Sequence, residues 1–397
     1  MWVGRHVVLG VSGGIACYKS CILARRLTEA GARVDVVLTH AAAEFVRPAT
    51  FEALTGRPVL SSLWEPDRAL AHIRLPEQAD LVVLAPATAH LLARAAQGIA
   101  DDLLTTLLLA RTEPVLAAPA MNDSMYAHPA TQQNLAILAG RGWRFIGPEI
   151  GPLAEGPSER PGRMSEPEII LAHAARALRG SGPLTGRRVI ITAGPTREPI
   201  DPVRVVTNRS SGKMGYRLAE AAWERGAEVV LVSGPVSETP PVGVRLRPVE
   251  TTRDLESVVR EELGAADVLI MAAAPADFRP SDPSAVKQPR SEGALAIPME
   301  PTPDVLRATL AERRPGSVIV GFALETGDAL SKAKAKLERK ALDLIVVNDV
   351  LEPGAGFEVD TNRVTILDRE GNAHVVPLAS KRVVADAILD SVEARLG

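Results

Sequence analysis

Two strand-to-helix turns in this 397-residue chain collect groups suited to an anion. The first, "VSGGIA" from Val11 to Ala16, brings Ser12, Gly13, Gly14 and Ile15 to the mouth of an apolar-periodic segment. Glycine there lets backbone amides approach a phosphate at a helix N-terminus, where the helix dipole reinforces them. Close strand–helix packing is the competing reason for the same glycines. The second turn, "TAGPTREPIDPVRVVTNRSSGKMG" from Thr192 to Gly215, ends in Asn208, Ser210, Ser211, Gly212, Lys213 and Gly215. Amide, hydroxyl and ammonium groups converge there and point to anion binding; an N-cap is the competing role for Ser or Asn. A third segment, "GPLAEGPSERPGRM" from Gly151 to Met164, has no helix or strand period and carries Glu155 near its centre. By composition alone it is a linker.

The elements that must position these groups alternate along the chain. The N-terminal half runs strand "RHVVLGV", a helix from Ile15 to about Glu29, strand "RVDVVLT", a helix around Ala41–Leu54 and strand "ADLVVLAP". A helix over Leu91–Leu109, strand "PVLAAP", a helix after Asn122 and a helix around Glu168–Leu178 follow. From Arg187 the pattern restarts with "RRVIITAGPTREPID", "GKMGYRLAEAAWERGAEVVLVSGP", "ADVLIMAAAPAD", "GSVIVGF", the basic helix "LSKAKAKLERKA" and "LDLIVVND". Such alternation implies parallel sheets covered on both faces, hence an α/β chain of two doubly wound, Rossmann-like domains, 1–180 and 181–397. Arg179–Arg188 is the expected linker. Ligands of such sheets sit beyond the carboxyl ends of the strands, where the turns above fall.

Composition narrows the function. With 45 basic and 48 acidic residues and no basic stripe, neither nucleic acid nor a membrane surface is an expected partner. No stretch is long and apolar enough to span a bilayer. The start "RHVVLGVSGGIAC" superficially resembles a signal peptide but is better read as strand and turn. Cys17 and Cys21, four apart on one predicted helix, give no disulfide framework and fit a reducing cytoplasm. Lys is scarce and concentrated in the C-terminal half at Lys213, Lys287, Lys332, Lys334, Lys336 and Lys340, positions that favour a point-like ammonium over a planar fork. A nicotinamide cofactor wants an acid after the second strand; Thr39-His40 stands there, which favours a mononucleotide.

Several segments together resemble one family. "SGGIACYKS", "AHIRL", "APATAHLLARAAQGIADDLL" and "APAMNDSMY" resemble flavin-dependent cysteine decarboxylases. "TAGPTREPIDPVRVVTNRSSGKMG", "MAAAPADFRP", "GFALET" and "LDLIVVND" resemble phosphopantothenate–cysteine ligases. In this order they resemble the bifunctional coenzyme A biosynthesis family, phosphopantothenoylcysteine decarboxylase fused to phosphopantothenate–cysteine ligase. The resemblance implies a flavodoxin-like N-terminal fold and a C-terminal ligase domain. It also implies CTP, phosphopantothenate and cysteine as substrates, FMN as cofactor, Mg²⁺ with the nucleotide, and homo-oligomers with trimeric decarboxylase halves and dimeric ligase halves. Metal ligands of the chain itself are not implied.

For the ligase half, the resemblance implies an acyl-cytidylate opened by the cysteine amine. Asn208 matches the asparagine that steadies this intermediate, with an amide able to donate to a developing oxyanion. Lys287 matches the first lysine of a basic motif on the family's mobile loop, which here reads Lys287-Gln288-Pro289-Arg290 and is poorer in lysine. Met271, Ala272, Ala273, Asp277, Pro303, Asp304, Val305, Leu306, Phe322, Lys336 and Lys340 fall where the family contacts the nucleotide. From spacing alone, the Lys336/Lys340 pair is a solvated helix face.

For the decarboxylase half, the FMN phosphate is expected at Ser12–Ile15, with Thr39 and the Ala85, Pro86, Ala87, Thr88 turn alongside. His72 matches the catalytic histidine, read here as a loop residue able to act as base near neutral pH. Asn122 matches the asparagine that grips the substrate carboxylate; an N-cap is its other reading. His90 stands where the family often has Asn. Gly151–Met164 aligns with the substrate-covering flap, with Glu155 in place of the cysteine that protonates the enethiolate and one extra residue before "GRM". Three readings remain for Glu155: the acid itself, a bystander to another donor, or the mark of a decarboxylase arrested at the enethiol. A non-catalytic flavin-binding regulator is the competing class; a nicotinamide dehydrogenase is a more distant alternative.

Overall fold

The computed structural model describes the whole chain except residues 65–69, 290–295, 326–328, 350–355, 357 and 358. Two compact units divide it, Met1–Arg179 and Gly180–Gly397. Both are α/β, as the alternation requires.

In the first unit the order is β1 (His6–Val11), α1 (Cys17–Glu29), β2 (Arg33–Leu38), α2 (His40–Ala43), α3 (Pro48–Thr55), α4 (Ala71–Gln78), β3 (Leu81–Ala87), α5 (Ala89–Gln97) and α6 (Leu103–Ala110). Then follow β4 (Val115–Pro119), α7 (Asp123–Ala127), α8 (Pro129–Gly140), β5 (Arg144–Phe145), β6 (Glu149–Ile150), β7 (Pro161–Arg163) and α9 (Pro167–Arg179). The five-stranded sheet has order β2-β1-β3-β4-β5 and is parallel throughout. Side-chain alternation explains why its strands are apolar on both faces. Val7, Leu9 and Val11 pack with Leu23, Phe51 and Ile170 on one face. Val8 packs with Leu91, Leu103 and Leu138 on the other.

Local chemistry moves several expected boundaries. The helix expected over Ala41–Leu54 is two, because the residue before Pro48 leaves the helical region, with Arg47 at ψ 149°. The helix expected over Leu91–Leu109 is also two: Gly98 closes α5 at φ 71°, and Asp102 opens α6 with a capping box to Thr105. His72 lies in helix α4, not in a loop. The Gly151–Met164 segment is not structureless: β6 and β7 pair antiparallel on its flanks, and Leu153 bridges Gly156 inside it.

The second unit runs β8 (Arg188–Ala193), β9 (Arg197–Pro199), β10 (Val205–Thr207), α10 (Lys213–Glu224), β11 (Glu228–Ser233), β12 (Arg245–Pro248), α11 (Thr252–Leu263) and β13 (Val268–Met271). It continues with β14 (Phe278–Pro280), β15 (Met299–Pro301), α12 (Val305–Ala308), β16 (Val318–Glu325), α13 (Ala329–Arg339), β17 (Leu344–Asp349), β18 (Thr361–Asp368), β19 (Ala373–Ser380) and α14 (Lys381–Leu396). The main sheet has order β12-β11-β8-β13-β16-β17-β18-β19. Its first six strands are parallel; β18 and β19 add antiparallel. A purely parallel sheet is therefore corrected to a mixed one, since a hairpin after β17 needs no crossover helix. The long turn before α10 is itself an antiparallel hairpin, β9 with β10.

A buried ionic cluster closes the first unit at the amino ends of its strands. His6 Nε2 lies 2.7 Å from Asp35 Oδ2, and Arg57 Nε donates to Asp35 Oδ1 at 2.6 Å. Burial alone would raise the Asp35 pKa, but the His6 and Arg57 hydrogen bonds and charges outweigh it and hold it at about 2. A lowered carboxyl pKa stabilises the fold above its unfolded value, and that share is lost as pH falls toward the folded value. Asp35→Asn is expected to cost roughly 2 kcal/mol at neutral pH. Denaturant unfolding between pH 7 and pH 2 checks this: the variant should lose less stability than the parent below about pH 4.

Candidate functional site

In the first unit, β1 and β3 are neighbours whose chains leave toward helices on opposite faces, and the crevice opens between their carboxyl ends. The two turns are tied together there. Ser12 Oγ donates to the Pro86 carbonyl at 2.7 Å, and the Thr88 amide and hydroxyl each approach Ser12 Oγ at 3.0 Å. Thr88 also caps α5, and Thr39 caps α2. A Cβ on Gly13 would stand 2.5 Å from the Ala41 Cβ, so close packing is a sufficient reason for that glycine.

A cavity of about 530 Å³ opens beside these turns. Gly13, Gly14, Ile15, Thr88 and Asn122 line it, and so does the flap residue Glu155. Ser12, Thr39, Ala85, Pro86 and Ala87 lie outside its lining; Ser12, Ala85 and Ala87 are buried and support the turns from beneath. His72, half-buried on α4, is not among the lining residues either. His90 is, and its Nε2 lies 3.5 Å from Arg94 Nη1. A cavity of this volume, with glycines at one helix mouth and polar groups under a flap, fits a flavin mononucleotide.

Asn122 caps the helix that follows it. Its Oδ1 accepts from the Ser124 amide at 2.8 Å and the Met125 amide at 3.4 Å, capping α7. That fixes the amide so that Nδ2 donates to Glu155 Oε1. The flap is fastened a second time: Ser158 Oγ donates to Asp123 Oδ2 at 2.5 Å, and Arg160 Nη2 donates to Asp123 Oδ1 at 3.0 Å and Ser124 Oγ at 3.1 Å. The Ser158 hydrogen bond and the Arg160 charge hold Asp123 below the usual carboxylate range. Lys19 belongs to the site without standing out among the motif residues. Its ammonium, on a nearly buried α1 residue lining the cavity, donates to the Met164 carbonyl at 2.8 Å and Glu166 at 3.0 Å, rooting the flap. The signal was a lone Lys on an otherwise Arg-rich unit.

The second unit repeats the arrangement between β8 and β13. The Ala273 amide donates to Thr192 Oγ1 at 3.0 Å, and the Ala276 amide donates to Thr196 Oγ1 at 2.9 Å. Met271 ends β13, Ala272 and Ala273 follow it directly, and Asp277 is exposed just beyond. Thr302 joins the Pro303–Leu306 segment to it, donating from its amide to the Asp277 carbonyl at 3.0 Å and from Oγ1 to the Ala276 carbonyl at 2.6 Å. Lys340 then pairs with Asp304 at 3.1 Å. Lys336 and Lys340 are half-buried whereas Lys332 and Lys334 are exposed, so the pair is not an ordinary solvated face. Phe322, half-buried, stands on β16. Arg290 lies outside the described residues.

Asn208 departs from its expected use. Its Nδ2 donates to the carbonyls of Ala274 and Pro275, both at 2.9 Å. With both amide hydrogens engaged, Oδ1 is the group left for a ligand, an acceptor rather than a donor. Lys213 pairs with Asp360 at 2.6 Å. Lys381, likewise outside the motif residues, is buried at the start of α14; burial first and the Lys213 charge second pull it down to about 8. Among the described residues, no three His, Cys, Asp or Glu side chains group as a metal site.

Residues 1–179 match the family model described as flavoprotein. Residues 184–396 match that of the DNA/pantothenate metabolism flavoprotein C-terminal domain. The chain is 47% identical over 399 residues to the coenzyme A biosynthesis bifunctional protein CoaBC of Vibrio cholerae, covering 99% of each. It is 46% identical over 395 residues to the Bacillus subtilis protein of the same name, covering 98% of this chain and 97% of that one. Among solved structures, it resembles the C-terminal domain of a protein with this name at 41% identity and a TM-score of 0.47, covering 54% of this chain and 98% of that one. Matched from end to end by such relatives, and by one family model on each unit, the chain belongs to the family of bifunctional coenzyme A biosynthesis proteins.

Proposed function

We propose that the chain carries out two successive steps of coenzyme A synthesis. The second unit joins phosphopantothenate to cysteine at the expense of CTP, and the first unit decarboxylates the product to phosphopantetheine. The observation that carries this reading is the match over 99% of both chains to a bifunctional relative.

In ligation, a phosphopantothenate carboxylate oxygen attacks the α-phosphorus of CTP and pyrophosphate leaves. The cysteine amine then attacks the acyl carbon and CMP leaves. Such transfers depend on positioning and charge neutralisation. Mg²⁺ is the nucleotide's counter-ion, and Lys287, Lys336 and Lys340 supply further positive charge. The backbone at Met271–Ala273 with Asp277, the Pro303–Leu306 segment and Phe322 hold the nucleotide. The hydrogen bonds of Asn208 support a role for Oδ1 in accepting from the incoming amine.

In decarboxylation, Ser12–Ile15, Thr39 and the Ala85–Thr88 turn hold FMN, which when bound supplies the two-electron chemistry at the thiol-bearing carbon. Asn122 grips the substrate carboxylate. His72 acts as base, brought to the cavity of a neighbouring copy in a trimer, a reading supported by its absence from the lining of its own unit's cavity; the decarboxylase halves are trimeric and the ligase halves dimeric, as in the family. Glu155, hydrogen-bonded to Asn122 over the cavity, is the proton donor in place of the family's cysteine. The substrates and the two free cysteines fit the cytoplasm.

Three outcomes are expected. Supplied with phosphopantothenate, cysteine, CTP and Mg²⁺, the protein yields phosphopantetheine by mass spectrometry, and Glu155→Gln yields the enethiol instead; enethiol from the parent protein would mean that Glu155 does not protonate. Asn208→Ala slows amide formation roughly a hundredfold while pyrophosphate release persists, as quenched-flow assays with and without cysteine would separate. Arg160→Ala loosens the flap, so a glutamate-specific protease should cut after Glu155 and Glu159 several-fold faster.

A further inference from the structure

We propose that Asp201 and Arg204 are positioning residues for ligation, latching the loop arm that presents Lys287. The proposal rests on the reading of Lys287 as a nucleotide contact. Asp201 sits in the turn of the β9–β10 hairpin, and its side chain has no exposed surface. It accepts from the Val203 and Arg204 amides, each at 2.8 Å, and from Arg204 Nε at 2.9 Å. Those contacts alone would stabilise a local turn. Two more reach far along the chain. The Gln288 amide donates to Asp201 Oδ2 at 3.2 Å, and Arg204 Nη2 donates to the Gln288 carbonyl at 3.1 Å. One ion pair therefore brackets both peptide groups of the residue that follows Lys287.

A second tie lies four residues earlier. The Ser284 amide donates to the Ile200 carbonyl at 3.0 Å, and Gln288 Nε2 returns to Ser284 Oγ at 2.8 Å. The arm 284–288 is thus held at both ends against the 200–204 turn, with exposed Lys287 between the ties. Asn208 follows the same hairpin after three residues of strand β10, so the latch places Lys287 and Asn208 on one framework. The Arg204 hydrogen bond and the backbone amides keep the Asp201 carboxyl far below the usual carboxylate range, so the latch stays ionic throughout any assay pH. A lysine on a free arm would sample many positions; one held at its root is pre-placed, and misplacement by an ångström costs on the order of a hundredfold in rate.

The test uses the full chain and follows pyrophosphate release and amide formation. Asp201→Asn should lower ligase kcat by about ten- to a hundredfold, with the CTP KM moving less than about threefold. Arg204→Lys keeps the charge but not the fork, and should show a smaller loss of the same kind. Decarboxylation of supplied phosphopantothenoylcysteine, which does not use these residues, should stay at the parent rate and reports that each variant is folded in its first unit; ligase-unit unfolding is followed separately by denaturant. The decisive comparison is the double variant. If the latch acts through Lys287, Asp201→Asn adds no more than about twofold on top of Lys287→Ala. Multiplying losses would overturn the latch while leaving Lys287 in its role. A Lys287→Ala variant with parental ligase kcat would overturn the role of Lys287, and the latch with it. Should Asp201→Asn not fold, Arg204→Lys carries the same comparison.

Discussion

Each unit depends on the place where two neighbouring parallel strands send their chains to opposite faces of the sheet. In the first unit these are β1 and β3; in the second, β8 and β13. A parallel strand cannot turn back by a tight hairpin, so each must leave through a turn and a crossover. Where the crossovers diverge, the strand ends are left without a covering helix and their backbone polar groups must find partners. Both units meet this demand with hydroxyls: Ser12 and Thr88 in one, Thr192 and Thr196 in the other. Hydroxyls satisfy the backbone without filling the crevice, which leaves room for a ligand and amides to hold it.

The flap follows from the same constraint. Asn122 ends β4's turn, and capping α7 consumes its Oδ1. Its nitrogen must therefore face away from the helix, into the cavity, and Glu155 meets it there. A carboxylate suits this position in a way a thiol would not, since it accepts from the amide strongly. The same contact sets up a competition, because a substrate carboxylate gripped by Asn122 would take the place that Glu155 holds. On the proposed reading, substrate binding would release Glu155 from Asn122, while Ser158 and Arg160 hold the rest of the flap on Asp123.

The parallel strands and the residues just after them were legible in the sequence because apolar alternation and turn chemistry are local. The β18–β19 hairpin was not, although its turn carries Gly371 at φ 88°: after six parallel strands, a strand-like segment reads as one more crossover partner until its pairing is seen. Helix α4 was missed for a related reason: "AHIRLPEQ" contains Pro76, which breaks the usual pattern, yet the helix forms with its proline buried. Asn208 and Asn122 were legible by type, but which end of each amide faces the ligand depends on partners 66 and 67 residues away for Asn208 and on the flap for Asn122. Asp201 stood inside a motif that was read for its end, and its long-range partner at Gln288 has no sequence signature.

The bias toward arginine has a physical consequence. Arginines in this chain mostly carry structural ion pairs: Arg225 is buried against Asp386 and Glu393, Arg57 braces Asp35, and Arg204 forks across Asp201 and Gln288. A planar fork with fixed donors satisfies several acceptors at once but cannot follow a moving phosphate. Lysine's compact ammonium can. Several of the few lysines stand near strand ends: Lys19 beneath the flap, Lys213 at the mouth of α10, Lys340 beside Asp304 and Lys381 close enough to Lys213 to feel its charge. Two neighbouring ammonium groups are costly without an anion nearby. Lys213 meets part of that cost through Asp360, and the polyanionic substrates of ligation would relieve more of it. The division of labour between the two cations thus puts forks where several acceptors must be held at once, and ammonium groups near the strand ends, where Lys213 and Lys340 each pair with a carboxylate.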